Sequence, residues 1–254
     1  MKRLGFALLL AAILNTACAA PRSGGTEPLA VSSPPAVVTV RSPARLTSSP
    51  LEQQASSPVE LHRVGWYASV TVIDAQTRAR MRYSWRPGCP VPLTGLRLIR
   101  MTYVGFDRAI HRGEMVVHRS FARAVVRVFR AMFEARYPIR QMRLVDDYRG
   151  DDERSMAADN TSAFNCRPVT GGSSWSEHAY GRAIDINPVE NPYVSSRGQV
   201  LPPAGRPYAD RRSRARGVIH HGDDVWRAFH SIGWGWGGDW RSFHDYQHFS
   251  STGR

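Results

Sequence analysis

The chain has 254 residues, 42% of them hydrophobic and 22% charged, which is ordinary for a globular protein and enough for one sizeable core. Its formal net charge is +13, and Lys2 is its only lysine. A GC-rich genome writes Arg for Lys; the charge also suits an exported protein among anionic wall polymers and phospholipid head groups. No basic run interleaved with aromatics suggests a nucleic-acid groove, so no nucleic-acid partner is expected.

The opening "MKRLGFALLLAAILNTACAA" has a basic start at Lys2 and Arg3, an apolar run to Leu14 and then small residues. Residues 1–19 read as a secretory signal peptide, too short for a membrane span. Ala17-Cys18-Ala19 fits ordinary cleavage, and Cys18 is also a candidate lipidation site that would tether the chain to a membrane. Asn15 stands where lipoprotein signals usually carry Leu. Residues 20–58 are rich in Ser, Pro, Thr and Ala, without aromatics, and read as a disordered linker. The folded domain is expected over 59–254. Export leaves Cys89 and Cys166 as one expected disulfide, worth roughly 4 kcal/mol by loop entropy.

"WYASVTVID" predicts a strand near 66–74 and "LRLIRMTYVGF" a second near 96–106. "EMVVHRSFARAVVRVFRAMFEARYP" predicts the clearest helix. Phe121, Val125, Val128, Phe129, Met132 and Phe133 recur at helical spacing, and Pro138 closes it. "IRQMRLVDDYR" predicts a third strand, followed by an irregular loop over 150–167. "YGRAIDINP" predicts a short strand ended by Pro188, and 192–217 a second long loop. "DDVWRAFHSIG" predicts a helix capped by Asp223 or Asp224 and stopped by Gly233. Helices and strands mix without regular βαβ alternation, so the fold class is α+β: a small antiparallel sheet flanked by helices. Nothing points beyond a monomer.

Within "GRAIDIN", strand alternation sets Ile184 and Ile186 on one face and Ala183, Asp185 and Asn187 on the other. His178 precedes the turn at Tyr180-Gly181, which can bring its ring to Asp185. A His and a carboxylate converging on one point are two of the three ligands of a catalytic zinc site. "HDYQHF" offers the third: His248 as ligand, with Asp245 on the same face of a helical turn as general base. Asp239 and His244 compete for these two roles, and "HHGDD" at 220–224 reads as a solvated loop and helix cap. Trp175, Tyr180, Trp236 and Trp240 are candidate cleft walls.

The segments "GFDRAIHRGEMVVH", "YPIRQMRLVDDYRGDD", "NTSAFNCR", "WSEHAYGRAIDINPVENPYV" and "GWGWGGDWRSFHDYQHF" resemble the M15 zinc peptidases, which comprise D-alanyl-D-alanine carboxypeptidases and L-alanyl-D-glutamate endopeptidases. The resemblance covers roughly residues 95–250 and rests on SxHxxGxAxD followed by DxxHF. It implies a single zinc-peptidase domain like the hedgehog signalling domain, with Zn2+ on His178, Asp185 and His248 and with Asp245 as base. It implies Arg167, in "NTSAFNCR", as the oxyanion-stabilising arginine. It implies hydrolysis of amides in peptidoglycan stem peptides, in the cell envelope or outside the cell. Asp245 departs from the Glu of the family's dipeptidase and carboxypeptidase branches and leans toward the endopeptidases. The alternative is a non-catalytic, zinc-holding wall-binding or signalling module.

Overall fold

The computed structural model describes residues 65–254, so the signal peptide, Cys18 and the 20–58 linker lie outside the described residues. The main sheet has the order β1-β2-β3, formed by Ala68–Val72, Leu96–Gly105 and Ile110–His118, all antiparallel. Helix α1 (Ala75–Arg80) follows β1 and is capped by Asp74, which accepts from the Thr77 amide. β2 is buried on both faces. Leu96 and Leu98 pack with Met81, Val91, Leu144 and Phe164 on one side. Ile99, Met101 and Tyr103 pack on the other against helix α2 (Ala122–Glu134). Period-two alternation between two covered faces explains why β2 is apolar almost throughout.

The expected long helix is two elements. Glu114–His118 belong to β3, where Met115, Val116 and Val117 pair with Ile99, Leu98 and Arg97 of β2. Three consecutive apolar residues suit a strand with both faces covered, and helical spacing only begins after Ser120. Val125, Val128, Phe129 and Met132 then form the buried face of α2, with Phe121 and Phe133 at its margins. The helix stops at Arg136, which takes a positive φ of 53°. Pro138 therefore opens the next strand rather than ending the helix.

The expected third strand is two short ones. β4 (Pro138–Ile139) runs parallel to β2, and β5 (Gln141–Met142) pairs in parallel with β6 (Asn160–Thr161). Residues 145–148 turn as a 3-10 helix, and the expected loop over 150–167 contains α3 (Asp152–Ala157). A Cys89–Cys166 disulfide ties this region back to the segment after α1.

The remaining elements carry the site. β7 (Ala183–Asp185) forms the edge of a small antiparallel sheet, in which β12 (His248–Ser250) lies between it and β10 (Gly235–Trp236). The expected loop after Pro192 contains β8 (Tyr193–Val194) and β9 (Val200–Leu201), and β8 also pairs with β11 (His244–Asp245). Helix α4 (Asp224–His230) is capped by Asp223 and followed by Gly233 at φ 79°, both as expected. Ile184, Phe249, Phe229 and Trp236 join the main core, so the site sheet rests on the same apolar layer as α2. The molecule is an α+β domain of mixed helices and small antiparallel sheets. Among the described residues no helix is long and apolar enough to cross a membrane.

Candidate metal centre

Three side chains converge between β7, β12 and the turn before β7. His248 sits directly opposite Asp185 in the β12–β7 register, so their side chains share a face. Ser162 fixes the other side of Asp185 by two backbone hydrogen bonds of 2.9 and 3.0 Å. His178 lies in a 3-10 turn, Glu177–Tyr180, capped by the Ser176 hydroxyl accepting from the His178 amide. Gly181 closes that turn with φ 64°, and a Cβ there would meet the His118 nitrogen at 2.6 Å. Glycine is therefore required for the chain to reverse and lay Asp185 beside His178. The seven-residue spacing is the length of one turn plus one short strand.

His178 Nε2 is 3.1 Å from Asp185 Oδ2, His248 Nδ1 is 3.1 Å from Asp185 Oδ1, and the two ring nitrogens are 3.2 Å apart. All three residues are buried, at 4%, 6% and 6% exposure. Each imidazole is oriented by a backbone carbonyl. His178 Nδ1 donates to Ala163 O at 2.6 Å and His248 Nε2 donates to Arg254 O at 2.9 Å. Those bonds place the N–H on the outer nitrogen and turn the inner lone pair toward the shared point. Donor atoms on a tetrahedral zinc with bonds of roughly 2.0–2.1 Å lie about 3.3 Å apart, so the set fits that ion. Among the described residues, His178, Asp185 and His248 are the group arranged to hold a metal.

The electrostatics agree with a cation at this point. Burial alone would lower the His248 pKa, but the Asp185 hydrogen bond and the charges of Asp185 and Asp245 overcome it and push it up to about 9. Burial likewise opposes ionisation of Asp185, and His178 and then His248 hold it well below the usual carboxylate range.

Asp245 lines the same cavity, but not from a helical turn. It ends β11, paired with Tyr193, and the chain bends through Tyr246-Gln247 before His248 begins β12. That bend is fixed by Trp236 Nε1 donating to Tyr246 O at 2.8 Å and by the Ile186 amide donating to Gln247 O at 3.0 Å. Asp245 Oδ1 is sealed from solvent without a hydrogen-bond partner. Burial, opposed by His248 and assisted by Asp185, pushes the Asp245 pKa up to about 6. A carboxyl in that range takes and returns a proton near neutral pH.

The cavity has a volume of about 680 Å³, and Arg167 and Asp152 stand on its wall. Arg167 Nη2 donates to Asp152 Oδ2 at 2.6 Å. Of the expected aromatic walls, Trp240 lines the cavity, joined by Tyr193 and Phe243. Trp236 is core, while Trp175 and Tyr180 pack against the second apolar cluster. The competing candidates lie elsewhere. His244 Nδ1 donates to Gly238 O, and Asp239 accepts from His221 and Trp226 on the surface. In "HHGDD", Asp223 caps α4. Asp152 escaped the sequence reading because a charge in an irregular loop gives no periodic signal. Tyr193 and Phe243 escaped it because the β8–β11 pairing is non-local.

Residues 170–251 match the M15 peptidase family model described as D-alanyl-D-alanine carboxypeptidase. The matched segment contains His178, Asp185, Asp245 and His248, and begins after Arg167. No curated protein matches the chain, and no solved structure does.

Proposed function

We propose that the chain is a zinc peptidase of the M15 type, hydrolysing amide bonds in peptidoglycan stem peptides that end in D-alanine; the match of residues 170–251 to the M15 family model supports this reading. The observation that carries this reading is the buried His178–Asp185–His248 cluster sharing one cavity with Asp245. A module that only bound the wall would have no need of a proton-accepting carboxyl beside the metal ligands.

His178 Nε2, His248 Nδ1 and an Asp185 oxygen would hold the ion. Zinc, when bound, supplies Lewis-acid polarisation of the attacking water and of the scissile carbonyl. Asp245 takes the proton from that water and returns it to the leaving amine. Arg167 faces the charge that develops on the carbonyl oxygen, a contribution worth about 3 kcal/mol for one well-placed donor. Trp240, Tyr193 and Phe243 exclude water and bind the peptide beside the scissile bond. The leader pattern and the disulfide support an exported protein of the cell envelope.

The test is incubation of the zinc-loaded protein with purified muropeptides, with and without chelator, read by mass spectrometry. Chelator-sensitive loss of a terminal D-alanine defines a carboxypeptidase, and an internal cut defines an endopeptidase. Zinc-loaded protein that cleaves no muropeptide overturns the proposal. Asp245→Asn is expected to keep its zinc while turnover falls about 100-fold or more. His248→Ala is expected to lose the metal.

A further inference from the structure

The solvent face of α2 is a row of cations. Arg123, Arg127 and Arg130 are exposed and recur at four- and three-residue spacing, opposite the buried Val125, Val128, Phe129 and Met132. At 1.5 Å rise per residue the row is about 10 Å long. Exposed Arg119 extends it past the N-terminal end of the helix. Many arginines of the described residues are tied to carboxylates: Arg80 to Glu114, Arg143 to Asp147, Arg167 to Asp152, Arg182 to Glu177 and Arg212 to Asp210. Arg119, Arg123 and Arg127 are in no ion pair among the described residues, and only Arg130 has one, an exposed contact with Glu134 at 2.9 Å.

The entrance to the helix is equally unneutralised. The first turn of α2 contains no acidic residue, and Phe121 provides no side-chain cap, so the positive end of the helix dipole adds to the row. His118, just ahead of it, is held below its ordinary pKa first by partial burial and then by Arg119, Arg182 and Arg97.

We infer that this face binds a linear polyanion with repeating phosphate groups. The row is one residue wide, which fits a chain better than a plane. A membrane-surface helix would place large apolar side chains beside its cations. None of the large exposed hydrophobic residues, Tyr67, Val70, Val72, Tyr83, Val169 and Phe243, lies on α2. Single-stranded nucleic acid would need aromatic stacking platforms, which this face also lacks. The docking surface would hold the protein on a phosphate-bearing polymer, and it does not depend on the peptidase reading.

The experiment measures binding of the full chain to fluorescent inorganic polyphosphate by anisotropy at several salt concentrations. The triple variant Arg123→Gln, Arg127→Gln, Arg130→Gln is compared with a control, Arg78→Gln, Arg206→Gln, Arg214→Gln, that loses the same charge from other exposed positions in no ion pair among the described residues. The helix variant is expected to bind about 10-fold more weakly or worse. Its salt slope should fall by about two, near 0.7 for each lost phosphate contact. The control should stay close to wild type. Wild-type affinity in the helix variant, or equal loss in both, overturns the proposal. Tighter binding of the wild type to anionic phospholipid vesicles than to polyphosphate also overturns it. The single variant Arg127→Gln, expected to weaken binding about threefold, keeps the test decisive if the triple variant fails to fold.

Discussion

Arg167 shows how one side chain is aimed by neighbours far apart in sequence. Its guanidinium is held at 2.6 Å by Asp152, the first residue of α3. Its backbone is anchored on the preceding side, where Cys166 is bonded to Cys89, its amide donates to Ser84 O and its carbonyl accepts from Arg86. Arg167→Ala is expected to lower turnover of a cleaved peptide about 100-fold while zinc content is unchanged, as for loss of one oxyanion donor. Arg167→Lys should recover little, because a point charge cannot hold Asp152 and the carbonyl oxygen together as a planar fork does. Steady-state kinetics with metal analysis check both, and a lysine variant with near wild-type turnover would reduce the role of Arg167 to charge alone. His178 and Asp185 were legible as a pair because one turn and one short strand separate them, whereas His248, 63 residues beyond Asp185, was singled out from His244 only by the M15 resemblance. Asp152 was not, since nothing local distinguishes it from Asp151 or Glu153.

At the scale of elements, the site depends on two small sheets meeting at a bend. β7, β12 and the turn before β7 carry the three candidate ligands, while β11 carries the proposed base Asp245, so the two can be disturbed separately. Gly237 packs directly against Asp245, the proposed base. A Cβ there would meet Asp245 O at 2.5 Å and Asp245 Cβ at 2.9 Å. Gly237→Ala is therefore expected to displace β11 and cost about 1–3 kcal/mol of stability. Turnover should fall at least 10-fold, because a shift near 1 Å at a reacting group can cost about 100-fold. Zinc affinity should be retained, and a parallel measurement of zinc binding and peptide cleavage separates the two effects. If zinc were lost with activity, the two sheets would be one mechanical unit. Strand β2, the α2 face and the α4 caps were readable from periodicity and capping chemistry. The β3–α2 boundary was hidden, because Met115–Val117 continue the apolar text of the helix and only pairing with β2 marks them as strand. The DxxHF spacing suggested a helical turn for the same reason: i, i+3 proximity is also produced by two strand ends joined by a bend.

Across the whole molecule, a net charge of +13 says nothing about the buried acids that join its parts. Glu190, 3% exposed, lies where the segment after β7 crosses the region between β4 and β6. Asp159 accepts from the Val189 amide at 2.9 Å, and Arg140 approaches Asp159 at 3.4 Å and Glu190 at 3.6 Å. Glu190 Oε2 is sealed without a partner. Burial, then the hydrogen bond and charge of Asp159, raise the Glu190 pKa to about 8. The folded state therefore keeps a proton that the unfolded chain releases near the ordinary glutamate value of 4.5. Stability must then fall as pH rises from that unfolded value through about 8, and level off above it. Gln at this position mimics the protonated acid and can still donate to Asp159. Glu190→Gln is expected to leave the thermal midpoint nearly unchanged at a pH of about 5 and to raise it by about 5 °C at a pH of about 8.5, where the native carboxyl must otherwise ionise inside the protein. Thermal unfolding of both proteins across that range checks the sign directly. A variant that gains nothing at high pH would mean that Arg140 already compensates the ionised pair, despite its separation from both acids.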